Sequence, residues 1–210
     1  AKLAYVSNDL SLNISVIDLQ TRTKIQDIPL GGLTENIAFT PDGRRAYVPV
    51  FTLGHIAVID TRSHTKIDEI PMPGADLIIV AITPDGKRAY VSDRLNDAVY
   101  VIDTQLNTKI AEIPVGDAPQ YLVIEPDGKR TYVANRDSGS VSVIDTRSNT
   151  TIAEVTDVGV VNQIAITPDG SRALLVVASG VQVLDLRTNT LISEIDTGPA
   201  PFFSAITPDG

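Results

Sequence analysis

Pro-Asp-Gly recurs five times along the 210 residues, with its proline at Pro41, Pro84, Pro126, Pro168 and Pro208 and intervals of 43, 42, 42 and 40 residues. A period in this range, filled with short strand-like runs, is the sequence mark of a β-propeller. Each repeat supplies one small sheet, and that sheet buries its faces only against its neighbours. Residues 81–127 show the unit in full: AITPDG, KRAYVSD, AVYVIDT, TKIAEIPVG and PQYLVIEPD, in that order. No window holds a sustained 3.6-residue period, so no helix is expected.

Four strand signals recur in each repeat. Arg45-Ala46-Tyr47-Val48 matches Arg88-Ala89-Tyr90-Val91, Arg130-Thr131-Tyr132-Val133 and the opening Leu3-Ala4-Tyr5-Val6. The second signal runs from Ile14-Ser15-Val16-Ile17-Asp18 to Val181-Gln182-Val183-Leu184-Asp185 and starts with period-2 alternation. The third, as in Lys109-Ile110-Ala111-Glu112-Ile113, mixes charge with isoleucine, which suits an outer strand whose charges discourage edge-to-edge pairing. The fourth leads into Pro-Asp-Gly and is the most apolar, as in Val80-Ala81-Ile82 and Ile164-Ala165-Ile166, which suits the crowded innermost strand.

The turns between strands have a mechanism. In Thr-Pro-Asp-Gly the proline presets φ for the first turn position, Asp favours the second, and Gly takes the left-handed position. The Asp103-Thr104-Gln105-Leu106-Asn107-Thr108 type of segment closes the next hairpin, with Asp and Asn bonding their own backbone. These repeated carboxylates are read as turn builders and not as active-site acids.

The expected architecture is all-β: a β-propeller of five four-stranded antiparallel blades in one domain over 1–210, with repeats at about 1–43, 44–86, 87–128, 129–170 and 171–210. Joining Ala205-Ile206-Thr207-Pro208-Asp209-Gly210 to the opening Ala1–Val6 regenerates a repeat junction. The C-terminal strand is therefore expected to sit inside the blade begun by the N-terminus and close the ring, removing open sheet edges. The alternative is five repeats of a longer, seven-bladed array.

Tyr5-Val6-Ser7-Asn8, Tyr90-Val91-Ser92-Asp93 and Tyr132-Val133-Ala134-Asn135, with the Val-Ile-Asp-Thr strands and Ile113-Pro114-Val115-Gly116, resemble the Tyr-Val-Thr-Asn (YVTN) β-propeller repeat. The resemblance runs over the whole chain. It departs at Val48-Pro49-Val50 and at Leu174-Leu175-Val176-Val177, where different loops are expected. It implies a range that includes surface-layer and periplasmic proteins, neighbours of redox enzymes, and lactonases.

Composition narrows the function. A net charge of −9 repels phosphate backbones, so nucleic-acid binding is not expected. Without cysteine there is no disulfide, zinc ribbon, iron–sulfur cluster or covalently attached c-type haem, which also suits a secreted protein. No apolar run reaches membrane-spanning length, and Ala1-Lys2-Leu3 does not read as a signal peptide. The two histidines, His55 and His64, lie in different turns of one repeat with no third ligand at metal spacing, and are read as solvated. Asp93, Asp97 and Asp137 fall in loops that offer a weak cation at most. No Gly-x-Ser-x-Gly, His-Glu-x-x-His or phosphate-cradling glycine loop appears. No metal, cofactor or catalytic residue is assigned.

Where repeats fail to repeat, function can be written. Ligands of propellers usually meet the mouth of the central channel, a fold-level analogy. Counting five and six residues back from each Pro-Asp-Gly proline gives the rim pairs Glu35 and Asn36, Ile78 and Ile79, Gln120 and Tyr121, Asn162 and Gln163, and Phe202 and Phe203, flanked by Asp76 and Pro201. The non-isoleucine pairs are the binding candidates, since mixed polar and large apolar groups resemble a pocket rim. The expected role is a non-enzymatic binding or scaffold propeller, extracellular, on a cell surface or in the periplasm. Its partner would be a protein or small-molecule ligand, or a surface or redox assembly that it joins as a subunit. The alternative is a lactonase-, hydrolase- or lyase-like enzyme at the channel mouth. It needs convergent acids or a His with a carboxylate, and Glu35 is the one acid among the rim pairs.

Overall fold

The computed structural model describes residues 2–210, and its strands form five antiparallel sheets joined by turns and short loops. The first sheet contains β1 (Leu3–Asn8), β2 (Asn13–Asp18) and β3 (Thr23–Pro29). The second contains β4 (Ala38–Phe39), β5 (Arg45–Val50), β6 (His55–Asp60) and β7 (Thr65–Pro71). The third contains β8 (Leu77–Ile82), β9 (Arg88–Asp93), β10 (Ala98–Asp103) and β11 (Thr108–Pro114). The fourth contains β12 (Pro119–Ile124), β13 (Arg130–Asn135), β14 (Ser140–Asp145) and β15 (Thr150–Val155). The fifth contains β16 (Val161–Ile166), β17 (Arg172–Val177), β18 (Gly180–Asp185) and β19 (Thr190–Ile195). A three-residue 3-10 turn, Phe51–Leu53, is the one helical piece among the described residues.

Each sheet is a meander, and each inner strand pairs with the strand after its Pro-Asp-Gly turn, as the turn chemistry predicts. Gly43 N–H donates to Thr40 O at 2.8 Å, and Asp42 Oδ1 accepts from Thr40 Oγ1 at 2.6 Å and from Arg44 N at 3.0 Å. The same bonds hold Asp169 ionised at a pKa of about 2, with the Thr167 hydroxyl the chief cause. The aspartates of these turns are structural, as expected.

Both faces of each inner blade are buried, so strands are apolar at nearly every position. In β5, Ala46, Val48 and Val50 join Ile14, Val16 and Ile28 in the layer between the first two blades. Tyr47 points the other way, into the layer with Leu77, Val91 and Tyr100. Tyr90, Val99, Val133 and Ile144 fill the next layer, and Tyr132, Val143, Leu175 and Leu184 the last. Alternation along a strand thus chooses which neighbour a side chain meets.

The tyrosine of the strand after each turn, present in the first four blades and replaced by Leu174 in the fifth, also ties its blade to the next. Tyr47 OH donates its one hydrogen between Asn107 Oδ1 at 2.7 Å and Thr104 O at 2.9 Å, Tyr90 OH donates to Asn149 Oδ1 at 2.8 Å, and Tyr132 OH to Asn189 Oδ1 at 3.1 Å. Tyr5 OH hydrogen-bonds His64 Nδ1 at 2.7 Å in the same way. The four acceptors share a left-handed backbone with φ of 53–55°, which asparagine tolerates best. His64 is therefore a clamp residue, which corrects its reading as a solvated turn histidine.

The outermost strands share a second device. Ile25, Ile67, Ile110, Ile152 and Ile192 have no partner across the ladder, because each outer strand carries one residue more than its neighbour at that point. Each of these isoleucines is about half exposed.

The inner strands β4, β8, β12 and β16 stand side by side. The expected closure is not formed. The first sheet has three strands, and β1 pairs with β2 alone. Pro201 and Ser204 are held by side chains of β16, in the position that β8 takes beside β4. Gln163 Nε2 donates to Ser204 O at 3.0 Å, and Asn162 Nδ2 to Pro201 O at 3.1 Å. Accordingly Val6 is 43% exposed, whereas Val48, Val91 and Val133 at the same position of other blades are fully buried.

The clamp and the turns are testable. Tyr90→Phe removes the hydroxyl while keeping the ring, and is expected to lower unfolding free energy by about 1 kcal/mol with an unchanged denaturant slope in urea melts. A Cβ on Gly128 would lie 3.0 Å from Pro84 Cδ of the preceding blade, whereas one on Gly43 would meet nothing within 4 Å. Both glycines have positive φ, so Gly43→Ala should cost about 1 kcal/mol from backbone strain, and Gly128→Ala roughly 1 kcal/mol more. Equal costs for the two would refute the proline contact.

Candidate functional site at the inner strand entries

The inner strands are entered through irregularities in pairing. Register shifts fall between Leu77 and Val80, between Pro119 and Tyr121, and between Val161 and Gln163. The residues left out of the ladder are Ile78 and Ile79, Gln120, and Asn162. These include three of the positions six residues before a Pro-Asp-Gly proline, where the repeats differ in sequence. A bulge frees a residue from the ladder and re-aims its side chain. Variation between repeats is therefore concentrated where the backbone is also irregular, and no sequence signal marked those bulges.

The candidate rim residues divide into two groups. Asn36, Asn162 and Gln163 are spent on bracing. Asn36 Oδ1 accepts from Val80 N at 2.9 Å, joining the second blade to the third, while Asn162 and Gln163 hold residues 201–204. Tyr121 packs into the apolar layer between the fourth and fifth blades. Ile78 is buried. The flanking Asp76 is paired with Arg94 at 2.7 Å.

The second group is open to solvent or nearly so. Gln120 is half-buried and makes no side-chain hydrogen bond within the described residues. Glu35 is exposed and shares a cleft of about 550 Å³ with Ser7, Asn8, Asp9, Leu10 and Thr34. Phe202 and Phe203 stack edge to face with centroids 5.0 Å apart, 65% and 70% exposed. Glu35 shares its cleft with residues of the first blade, Gln120 belongs to the fourth blade, and the phenylalanines follow the fifth.

Titratable groups elsewhere are mostly committed. Asp93 is not a loop residue, as the sequence reading had it, but ends β9 fully buried. Its carboxylate accepts from Asp76 N at 2.9 Å, Leu95 N at 3.1 Å and Tyr100 OH at 2.6 Å, so it has no capacity left for a cation. Asp97 Oδ1 accepts from Ala118 N at 2.8 Å. Among the described residues no group of three or more His, Asp or Glu is placed to hold a metal ion. His55 is the exception among expectations: it is buried, with Nε2 lacking a hydrogen bond and 3.8 Å from Glu69 Oε1. Glu69 is itself paired with Lys66. Burial pushes the His55 imidazole below the ordinary histidine range, and the Glu69 carboxylate opposes that shift only in part.

A family model described as "Lactonase, 7-bladed beta-propeller" matches residues 1–167. A solved hydrazine synthase structure from Kuenenia stuttgartiensis superposes with a TM-score of 0.89 at 23% identity, over 99% of this chain and 68% of that one. At that identity the likeness establishes the propeller fold alone. No curated protein matches the chain. No helix among the described residues is long and apolar enough to cross a membrane.

A depressed folded-state pKa means that the unfolded chain binds the His55 proton first. The stability His55 contributes is complete above the unfolded value of about 6.5 and is lost as pH falls through it toward the lower folded value. Urea melts at pH 7.5 and 5.5 should therefore show a larger loss for the native protein than for His55→Gln.

Proposed function

The chain belongs to the lactonase family of seven-bladed β-propellers, and from that premise we propose that it acts as a non-catalytic binding or scaffold propeller. The observation that carries this reading is the use made of the polar rim. Asn36, Asn162 and Gln163, which stand where the inner strands begin, hold blades and backbone together, and the one acid that shares the Glu35 cleft is Asp9, from the β1–β2 turn and not from an inner strand, with no histidine or lysine in the lining. Acid–base chemistry needs two such groups within reach of one bond. What stays available is the bulged Gln120, set to contact a peptide or small molecule by hydrogen bonding.

The reading includes a place outside the cytoplasm, at a cell surface or in an envelope, where the propeller docks as a subunit or binds a ligand. The Tyr-Val-x-Asn strands and the likeness to YVTN repeats support this, as does the cysteine-free acidic composition. A second reading, hydrolysis of a lactone, is favoured by the family match to residues 1–167.

Both readings meet in one experiment. Thermal-shift screening against peptides and small lactones is run beside a lactone-hydrolysis assay. The expected result is a ligand whose stabilisation is lost in Gln120→Ala and kept in Gln105→Ala, with no hydrolysis above the uncatalysed rate. Hydrolysis that Glu35→Gln abolishes would overturn the non-catalytic reading and establish the second.

A further inference from the structure

The blades have two ends, and the turns at each end are hydrogen-bonded to one another. At the Pro-Asp-Gly end, Thr61 N donates to Arg44 O, Thr104 N to Lys87 O and Thr146 N to Lys129 O. At the other end, where the inner strands begin, Arg94 N donates to Asp76 O, Val115 N to Asp97 O and Arg136 N to Ala118 O. The repeat fills the two ends with different charge. Around the Pro-Asp-Gly turns acids stand beside bases: Asp42 lies 3.8 Å from Arg44, Asp127 2.9 Å from Lys129, and Glu125 2.7 Å from Arg130. At the inner-strand end Asp9, Glu35, Asp97, Asp117, Asp137 and Asp157 are exposed, and none has an ion pair among the described residues. The loops there hold two arginines, Arg94 and Arg136, and no lysine. Arg94 is tied to Asp76 at 2.7 Å, and Arg136 is outnumbered by the acids of its own and the adjoining loops. Most of the net charge of −9 therefore sits on one face.

The same loops carry leucines that the fold does not bury. Leu10, Leu53 and Leu95 stand in the β1–β2, β5–β6 and β9–β10 connections of three successive blades, and are 103%, 53% and 68% exposed. The fourth blade makes the same connection with Asp137 and Ser138, so the turn itself does not require an apolar residue. The opposite end exposes Leu19 and Leu106, but on blades that are not neighbours and amid balanced charge. Apolar side chains repeated at one face and rimmed by charge mark an interaction surface.

We infer that this face docks a basic protein segment that also presents apolar side chains. The inference rests on the binding reading above and names the partner's chemistry. Other occupants match the face less well. A second copy of the chain offers either the same acidic face, which repels, or the charge-balanced end, which does not attract. Nucleic acid and anionic lipid are repelled. A divalent cation finds no group of three ligands among the described residues. A segment rich in lysine or arginine is steered in by the exposed acids, and apolar contact with the leucines slows its release. Gln120, half-buried at the same end, adds a hydrogen-bonding group.

The test titrates the whole protein with a synthetic amphipathic peptide of leucine and lysine, followed by amide chemical shifts. Two comparison peptides of the same length replace leucine by serine or lysine by glutamate. Saturable shifts are expected in the loops that hold Leu10, Leu53, Leu95 and Asp137, with affinity falling about tenfold between ~0.1 M and ~0.5 M salt. The serine peptide should bind about tenfold more weakly, and the glutamate peptide not at all. The triple variant Asp117→Asn, Asp137→Asn, Asp157→Asn should weaken the leucine–lysine peptide about tenfold. The variant Glu112→Gln, Glu154→Gln, Glu194→Gln makes an equal change of charge on the outer strands and should leave it unchanged. All six altered side chains are exposed, so both variants are expected to fold, checked by retained shift dispersion. Shifts spread over both ends, equal losses in the two variants, or equal binding of the serine peptide would each overturn the partner assignment. Lactone hydrolysis lost in Glu35→Gln, read in its own assay, would instead overturn the binding reading beneath it.

Discussion

In the first four blades a phenol hydroxyl reaches across to the next, and the repeat is arranged around that reach. The ring of Tyr47, Tyr90 or Tyr132 fills the layer between sheets, while its hydroxyl meets an asparagine held in a left-handed turn of the following blade. Apolar packing alone is non-directional and would tolerate sliding of one sheet over another. A buried hydroxyl whose acceptors sit in one fixed turn does not, since a slip away from that turn leaves it unpaired at a cost of about 1–3 kcal/mol. The proline of one Pro-Asp-Gly turn against the glycine of the next adds a steric stop on the same side. Stacking angle and register therefore follow from two small contacts repeated along the chain.

The architecture was legible because it is written several times. Turn residues with fixed φ demands, strand runs of fixed length and a period near 42 residues agree at every repeat, so errors at one copy are corrected by the others. The extra ladderless isoleucine of each outer strand was not legible, because a bulge changes pairing without changing composition. Nor was the failure of residues 204–207 to reach β1. Their sequence matches an inner strand, and Ser204 meets Gln163 as Val80 meets Asn36, but a local pattern does not say whether such a strand also reaches the first blade.

The candidate site was legible only in outline. Comparing repeats found the variable positions, yet variation does not say whether a side chain serves a ligand or its own fold. Asn36 and Gln163 serve the fold, and Tyr121 is core. Gln120 alone among the rim amides is left without a partner within the described residues. His55 was misjudged for a related reason: its neighbours in sequence are turn-like, but its burial comes from packing that sequence order does not reveal.

The unpaired isoleucine in each outermost strand bears on life at high concentration. A regular strand at a sheet margin offers an unbroken comb of donors and acceptors to any passing strand. Here the comb is missing a tooth midway, in every blade, and in three blades a lysine and an acid three residues apart straddle the gap. Two such molecules brought flank to flank find their spacings out of step after a few residues. The perimeter can thus be crowded without becoming a template for fibres.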